Sequence, residues 1–218
     1  YSVGVGDEGG FAPLLGGAKD KEREALDLIV RAIRAAGFTP GEDVSLCLDV
    51  AASQFYDKES GKYVLYGERL ETKDICDLYK NLCSEYPIIS IEDGLDENDW
   101  DGWVLLTKEL GDKIQLVGDD IFVSNRSKIQ RGIDLGVANS SLIKPNQVGT
   151  VSETLDSIKL CKENGLGVVV SHRSGETTDS FIADLVVGTG AGQIKSGACA
   201  RGERVVKYNR LMKIERGL

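Results

Sequence analysis

What most constrains this chain is an alternation: six short apolar runs recur along it, each followed by a stretch with helical spacing. The runs cover residues 44–50, 87–93, 114–120, 141–144, 167–172 and 193–195. The spacing predicts helices over residues 72–86, 100–110, 125–135, 150–164 and 181–187, with a last one over 202–214. Strands this apolar on both faces belong in a parallel sheet covered by helices, so the fold class is α/β. The 218 residues exceed a common domain yet fit one barrel or a piece of one, and no Pro/Gly-rich linker divides them.

Two architectures share this alternation, the doubly wound sheet and the eight-stranded barrel. Each run ends in a charged or titratable residue: Asp49, Glu92, Asp119, Lys144, His172 and Lys195, spaced 23 to 43 residues apart, roughly one strand-helix unit. A barrel brings the carboxyl ends of all its strands to one mouth. A doubly wound sheet concentrates function at one switch point and usually carries a Gly-rich phosphate turn after its first strand, which the sequence lacks. The expectation is therefore a TIM-type (β/α)8 barrel, incomplete, with about the last six of its units present.

Composition narrows the function. A net charge of −9 without clustered Lys and Arg disfavours nucleic acid and anionic lipid as partners. No apolar run is long enough to span a bilayer, and YSVGVGDEGG lacks the features of a signal peptide. The chain reads as an excerpt of a longer protein. Five cysteines without a CxxC pair fit core residues in a reducing compartment better than disulfides or zinc, with Cys76 and Cys83 two turns apart on one helix face.

Asp49, Glu92 and Asp119 end three successive strands. Singly, each could cap a helix or pair with a lysine. As a set of like charges buried in a barrel mouth they call for protons or a cation, and hard oxygen donors with open positions suit Mg²⁺. Lys144 and Lys195 facing such a cation would have their ammonium forms disfavoured, which equips a lysine to act as a base toward a weak carbon acid. His172 is the only histidine, and SHRSGET adds the Arg173 fork, the Ser174 hydroxyl and the permissive Gly175, a plausible phosphate grip. In GDEGGFAP, glycine flanks could let Glu8 reach a site from a mobile loop as a general acid, or simply form a turn.

Taken in order, VGDEGGFAP (residues 5–13), LDVAAS (48–53), SIEDGLDENDW (90–100), VGDD (117–120), LIKPNQVGT (142–150), SHRSGET (171–177) and GQIKSGA (192–198) resemble enolases across nearly the whole chain, with a bacterial style in EDGLDENDW. Cys199 and Gly202 depart from the usual family pattern. The resemblance implies reversible, magnesium-dependent dehydration of 2-phosphoglycerate to phosphoenolpyruvate in glycolysis. Asp49, Glu92 and Asp119 would bind Mg²⁺, Lys144 would take the proton from carbon 2, and Glu8 would protonate the leaving hydroxyl. Lys195 would hold the substrate carboxylate, Arg173 and Ser174 the phosphate, His172 would line the site, and Asp120 would orient Lys144. It further implies a second Mg²⁺ that arrives with substrate, a cytoplasmic homodimer or higher oligomer with a possible surface or secreted pool, and an amino-terminal α+β domain and first barrel strands that lie outside these residues. The 218 residues alone would then be poorly stable and largely inactive. Another acid dehydratase or racemase of the superfamily, and a non-catalytic surface-binding role, are the alternatives.

Overall fold

Every one of the six apolar runs forms a strand, in a computed structural model that describes residues 3–16 and 20–217. In chain order the elements begin with the antiparallel pair β1 (Val3–Val5) and β2 (Phe11–Pro13), then α1 (Lys21–Ala35) and β3 (Leu46–Asp49). A short 3-10 turn leads into an antiparallel meander, β4 (Tyr56–Asp57), β5 (Lys62–Leu65) and β6 (Glu68–Leu70). There follow α2 (Thr72–Glu85), β7 (Ile88–Glu92), α3 (Trp100–Leu110), β8 (Gln115–Gly118) and α4 (Arg126–Leu135). The remainder is β9 (Ser140–Ile143), the single turn α5 (Pro145–Val148), α6 (Val151–Glu163), β10 (Gly167–Ser171), α7 (Phe181–Thr189), β11 (Gly192–Lys195) and α8 (Gly202–Glu215).

The chain groups into two units. One comprises Leu15–Ile121 and Arg131–Asn139, and contains the parallel strands β3, β7 and β8 with β7 in the middle. The other comprises Tyr1–Leu14, Phe122–Gln130 and Ser140–Leu218, and contains the parallel strands β9, β10 and β11 with β10 in the middle. Each has the strand-helix alternation that the sequence predicts, because a parallel strand can be followed by another only through a crossover.

Local chemistry sets the helix boundaries. Asp99 caps α3 by accepting the Gly102 amide at 2.9 Å, and the buried residues Trp103, Leu106 and Leu110 recur at helical spacing behind it. Burial of each such side chain contributes about 1.5–3 kcal/mol. Glu71 and Asp74 form a reciprocal capping box on α2, whose buried face carries Ile75, Cys76, Tyr79 and Leu82. Asn125, read from the sequence as the first residue of a helix, is instead its cap: its side-chain oxygen accepts the amides of Ser127 and Lys128. Pro145 opens α5 and Gly149, with φ 103°, ends it, so the chain turns sharply just after Lys144.

One expectation is corrected, and two connections take definite form. The cysteines are not all core residues: Cys76 and Cys161 are buried and Cys83 half-buried, but Cys47 and Cys199 are exposed. In GDEGGFAP, residues 6–10 form the tip of the β1–β2 hairpin, closed by a Gly6 amide on the Gly10 carbonyl, and Phe11–Pro13 is its second strand, which agrees with the turn that the glycines allowed. The first strand-to-helix connection holds the meander, whose alternating residues are too few and too polar to stand out from a loop. Among the described residues, no helix is long and apolar enough to cross a membrane.

Candidate functional site

Strand register assembles the carboxylates. Asp49 and Glu92 are direct partners across β3 and β7, and Glu92 is level with Val117 on β8. Asp119 lies two residues beyond Val117, just past the strand end. Neighbouring strands run about 4.8 Å apart, so three acids from distant sequence positions share one edge of the sheet. Glu92 and Asp119 are 7% and 6% exposed. Asp49, expected to be buried with them, is exposed, because among the described residues β3 has only β7 beside it.

The neighbour of Glu92 was not singled out by the sequence. Asp93 is buried with φ 45°, and its Oδ1 accepts the Asp119 amide at 2.9 Å while Oδ2 accepts the Asp120 amide at 3.0 Å. One carboxylate oxygen each from Asp93, Asp119 and Asp120 lies within 4.8 Å of the other two. Burial pushes the Asp93 carboxyl up to about 8, against the opposing pull of those two amides. Asp93 thus ties the end of β7 to the loop after β8 and aims Asp119, while Asp119 belongs both to this cluster and to the trio inferred from sequence. Carboxylate oxygens gathered this closely, those of Asp93 and Asp119 buried and that of Asp120 half-buried, fit a hard divalent cation better than a soft one.

The second unit gathers the bases and the histidine. Ile143 is level with Val170, and Ser171 with Lys195, which puts Lys144, Ser171 and Lys195 at one height across β9, β10 and β11. The Lys144 amide donates to Ser124 Oγ at 2.8 Å, and that hydroxyl donates to Gln147 Oε1 at 2.6 Å. Lys144 is half-buried at the start of α5. The His172 amide donates to the Lys195 carbonyl at 3.0 Å.

Glu8, 164 residues before His172, meets it here: Oε2 lies 3.3 Å from His172 Nε2, and Oε1 accepts the Ser174 hydroxyl at 2.9 Å. The Ala198 amide donates to the Glu8 carbonyl at 2.9 Å. Burial raises the Glu8 carboxyl, but the Ser174 hydroxyl and the charges of His172, Lys195 and Arg204 outweigh it and hold it below the usual glutamate value. His172 is 2% exposed, and burial, with the charges of Arg204 and Lys195, lowers its pKa although Glu8 and Glu176 pull the other way. Arg173 donates from Nη1 to Asn146 Oδ1 at 3.0 Å and from its amide to Glu176 Oε1 at 3.1 Å.

Two buried cations on α8 complete this cluster, and neither was anticipated. Arg204, 1% exposed, donates to His172 Nδ1 at 2.6 Å and to the carbonyls of Arg173, Ser174 and Asp7. Lys207, also 1% exposed, donates to Glu176 Oε2 and to the carbonyls of Thr177 and Glu203, each at 2.7 Å. Arg204 and Lys207 stand three apart on a face that apolar spacing would bury, the one sequence signal that could have found them. Comparison with protein families matches residues 1–218 to the family described as "Enolase, C-terminal TIM barrel domain".

Proposed function

The chain belongs to the enolase C-terminal TIM barrel family, and from that premise we propose that it carries the catalytic residues of an enolase acting reversibly on 2-phosphoglycerate. The observation that carries the reading is the convergence of Glu8 with His172 and Ser174, which lie more than 160 residues further along the chain, at 3.3 Å and 2.9 Å. An acid beside a histidine and a hydroxyl, next to a lysine-bearing strand end, suits removal of a hydroxyl from a phosphorylated hydroxy acid.

In this reading Lys144, as the neutral amine, takes the proton from carbon 2 of the substrate. The freed electron pair moves toward the carboxylate to give an enolate, which Lys195 helps to hold by its charge. The pair then returns to form the carbon–carbon double bond as the carbon 3–oxygen bond breaks. Glu8 gives its proton to the departing hydroxide, so that water and phosphoenolpyruvate leave. Arg173 and Ser174 grip the phosphate. Asp49, Glu92 and Asp119 would hold a divalent cation, which when bound supplies positive charge against that of the enolate. Glu8 rests as a carboxylate, the form needed to take a proton from water in the hydration direction. Its acid role requires that the negative charge of the substrate raise its pKa. The setting is a cytoplasmic enzyme with a small-molecule substrate.

The test is to supply 2-phosphoglycerate and Mg²⁺ in deuterated water to a longer protein that carries these residues with further barrel strands, following deuterium at carbon 2 and the ultraviolet absorbance of the enol phosphate. Lys144→Ala should cut both by roughly 10²–10⁴-fold. Dehydration of an unphosphorylated acid, with 2-phosphoglycerate ignored, would overturn the assignment in favour of another branch of the superfamily.

A further inference from the structure

We propose that Arg204 is a positioning residue: it fixes His172 as the Nε2–H tautomer, so that the imidazole can donate only toward Glu8. A guanidinium has five donors and no acceptor and does not lose its proton. At 2.6 Å from Nη1, His172 Nδ1 must therefore be the acceptor, and its proton resides on Nε2. A proton on Nδ1 would set two donors against each other in a buried site. Nε2 lies 3.3 Å from Glu8 Oε2 and has no hydrogen bond among the described residues, so a small rotation toward the carboxylate satisfies it.

The same guanidinium holds both walls of the pair. Its contacts to the Arg173 and Ser174 carbonyls, both at 2.7 Å, fix the loop after β10, and the contact to the Asp7 carbonyl at 3.1 Å fixes the hairpin tip that carries Glu8. Space around it is tight: at Gly197, with φ +80°, a Cβ would stand 2.8 Å from Arg204 Cδ and 2.7 Å from the Glu8 carbonyl oxygen. The charged groups facing His172 are Glu8 from the hairpin, Lys195 from β11, Arg204 from α8 and Glu176 from the loop after β10. Of these, Arg204 alone bonds to Nδ1 among the described contacts. Protonation of that nitrogen would have to break the bond, so His172 stays neutral with its one N–H on the side of Glu8. The purpose of this arrangement rests on the reading of Glu8 as the proton carrier in the proposed dehydration; the tautomer itself does not.

The chain has a single histidine, so its imidazole nitrogens give one set of signals in a long-range ¹H–¹⁵N correlation spectrum of the histidine-labelled full chain. The expected result is the Nε2–H tautomer, favoured by roughly tenfold or more, the factor set by one hydrogen bond to a charged group. Arg204→Gln should produce a mixture of tautomers and raise the titration midpoint of the ring, with Arg204→Lys in between, and should shift the acidic limb of the pH–rate profile. An Nδ1–H spectrum from the unsubstituted protein would overturn the proposal, as would an Arg204→Gln protein with unchanged tautomer and titration. If Arg204→Gln does not fold, the unsubstituted spectrum decides alone. Lack of 2-phosphoglycerate turnover by a longer protein that carries these residues with further barrel strands, beside an intact Nε2–H signal, would count against the enolase reading and leave the positioning role standing.

Discussion

Single residues near His172 make the site sensitive to pH and to loss of one partner. The folded pKa of His172 lies below its ordinary value of 6.5, so on acidification the unfolded chain takes up the proton first. Stability should therefore fall as pH drops through about 6.5, toward the lower folded value. Urea midpoints measured from roughly pH 8 to pH 5 should show this slope, and His172→Gln should flatten it; an unchanged slope would refute the assignment. Lys207 and Glu176 form the second sensitive pair. Lys207→Met removes the cation from the half-buried Glu176 carboxylate and the donor from the Thr177 and Glu203 carbonyls, and should cost roughly 1–3 kcal/mol by denaturant unfolding. The sequence displayed Glu8, His172 and Ser174 as candidates because their types are chemically marked. It marked the cations beneath them only weakly, by their place on a helix face that apolar spacing would bury: Arg204 and Lys207 look like ordinary helix-surface residues until the loop carbonyls they satisfy are placed in space.

At the scale of elements, the junctions between strands and helices decide where side chains point. Asp99 accepts the Gly102 amide at 2.9 Å, the Tyr63 hydroxyl at 3.0 Å and the Thr72 hydroxyl at 2.8 Å, so one carboxylate joins the start of α3, strand β5 and the start of α2. Tyr63 is wholly buried, and its oxygen also accepts the Asp96 amide at 2.9 Å. Asp99→Ala should therefore cost more than the roughly 1 kcal/mol of a lost helix cap. Paired with Tyr63→Phe in a double-mutant cycle, it should show a coupling of about 0.5–3 kcal/mol; strict additivity would mean that the junction does not act as a unit. Strands and helices were legible because apolar spacing writes them directly. The six strand ends, Asp49 to Lys195, fell at or one residue past the carboxyl ends of β3, β7, β8, β9, β10 and β11. The helix α1 is hidden although Leu26 and Ile33 recur two turns apart, because seven of its 15 residues are charged and interrupt the apolar stripe. The meander and the hairpin escaped because their strands are two to four residues long, too short for a period of two to declare itself.

For the molecule as a whole, the informative strand is β3, which ends the strand order with β7 as its partner. A parallel strand of an α/β fold is ordinarily paired on both sides and covered on both faces. Here a groove of about 300 Å³ lies along β3, lined by Leu48, Val50, Phe55, Leu65 and Leu78, and Asp49 is exposed at its end. Opening β3 breaks one ladder, whereas opening β7 breaks two, so local unfolding should release β3 at a lower free energy. Hydrogen exchange should then show β7 amides protected at least about tenfold more than β3 amides, the factor for 1.4 kcal/mol. In a longer protein that supplies further barrel strands, β3 protection should rise to that of β7. Equal protection of the two strands in the 218-residue chain would show that β3 needs no neighbour, and the same low protection in the longer protein would show that the added strands do not pair with it.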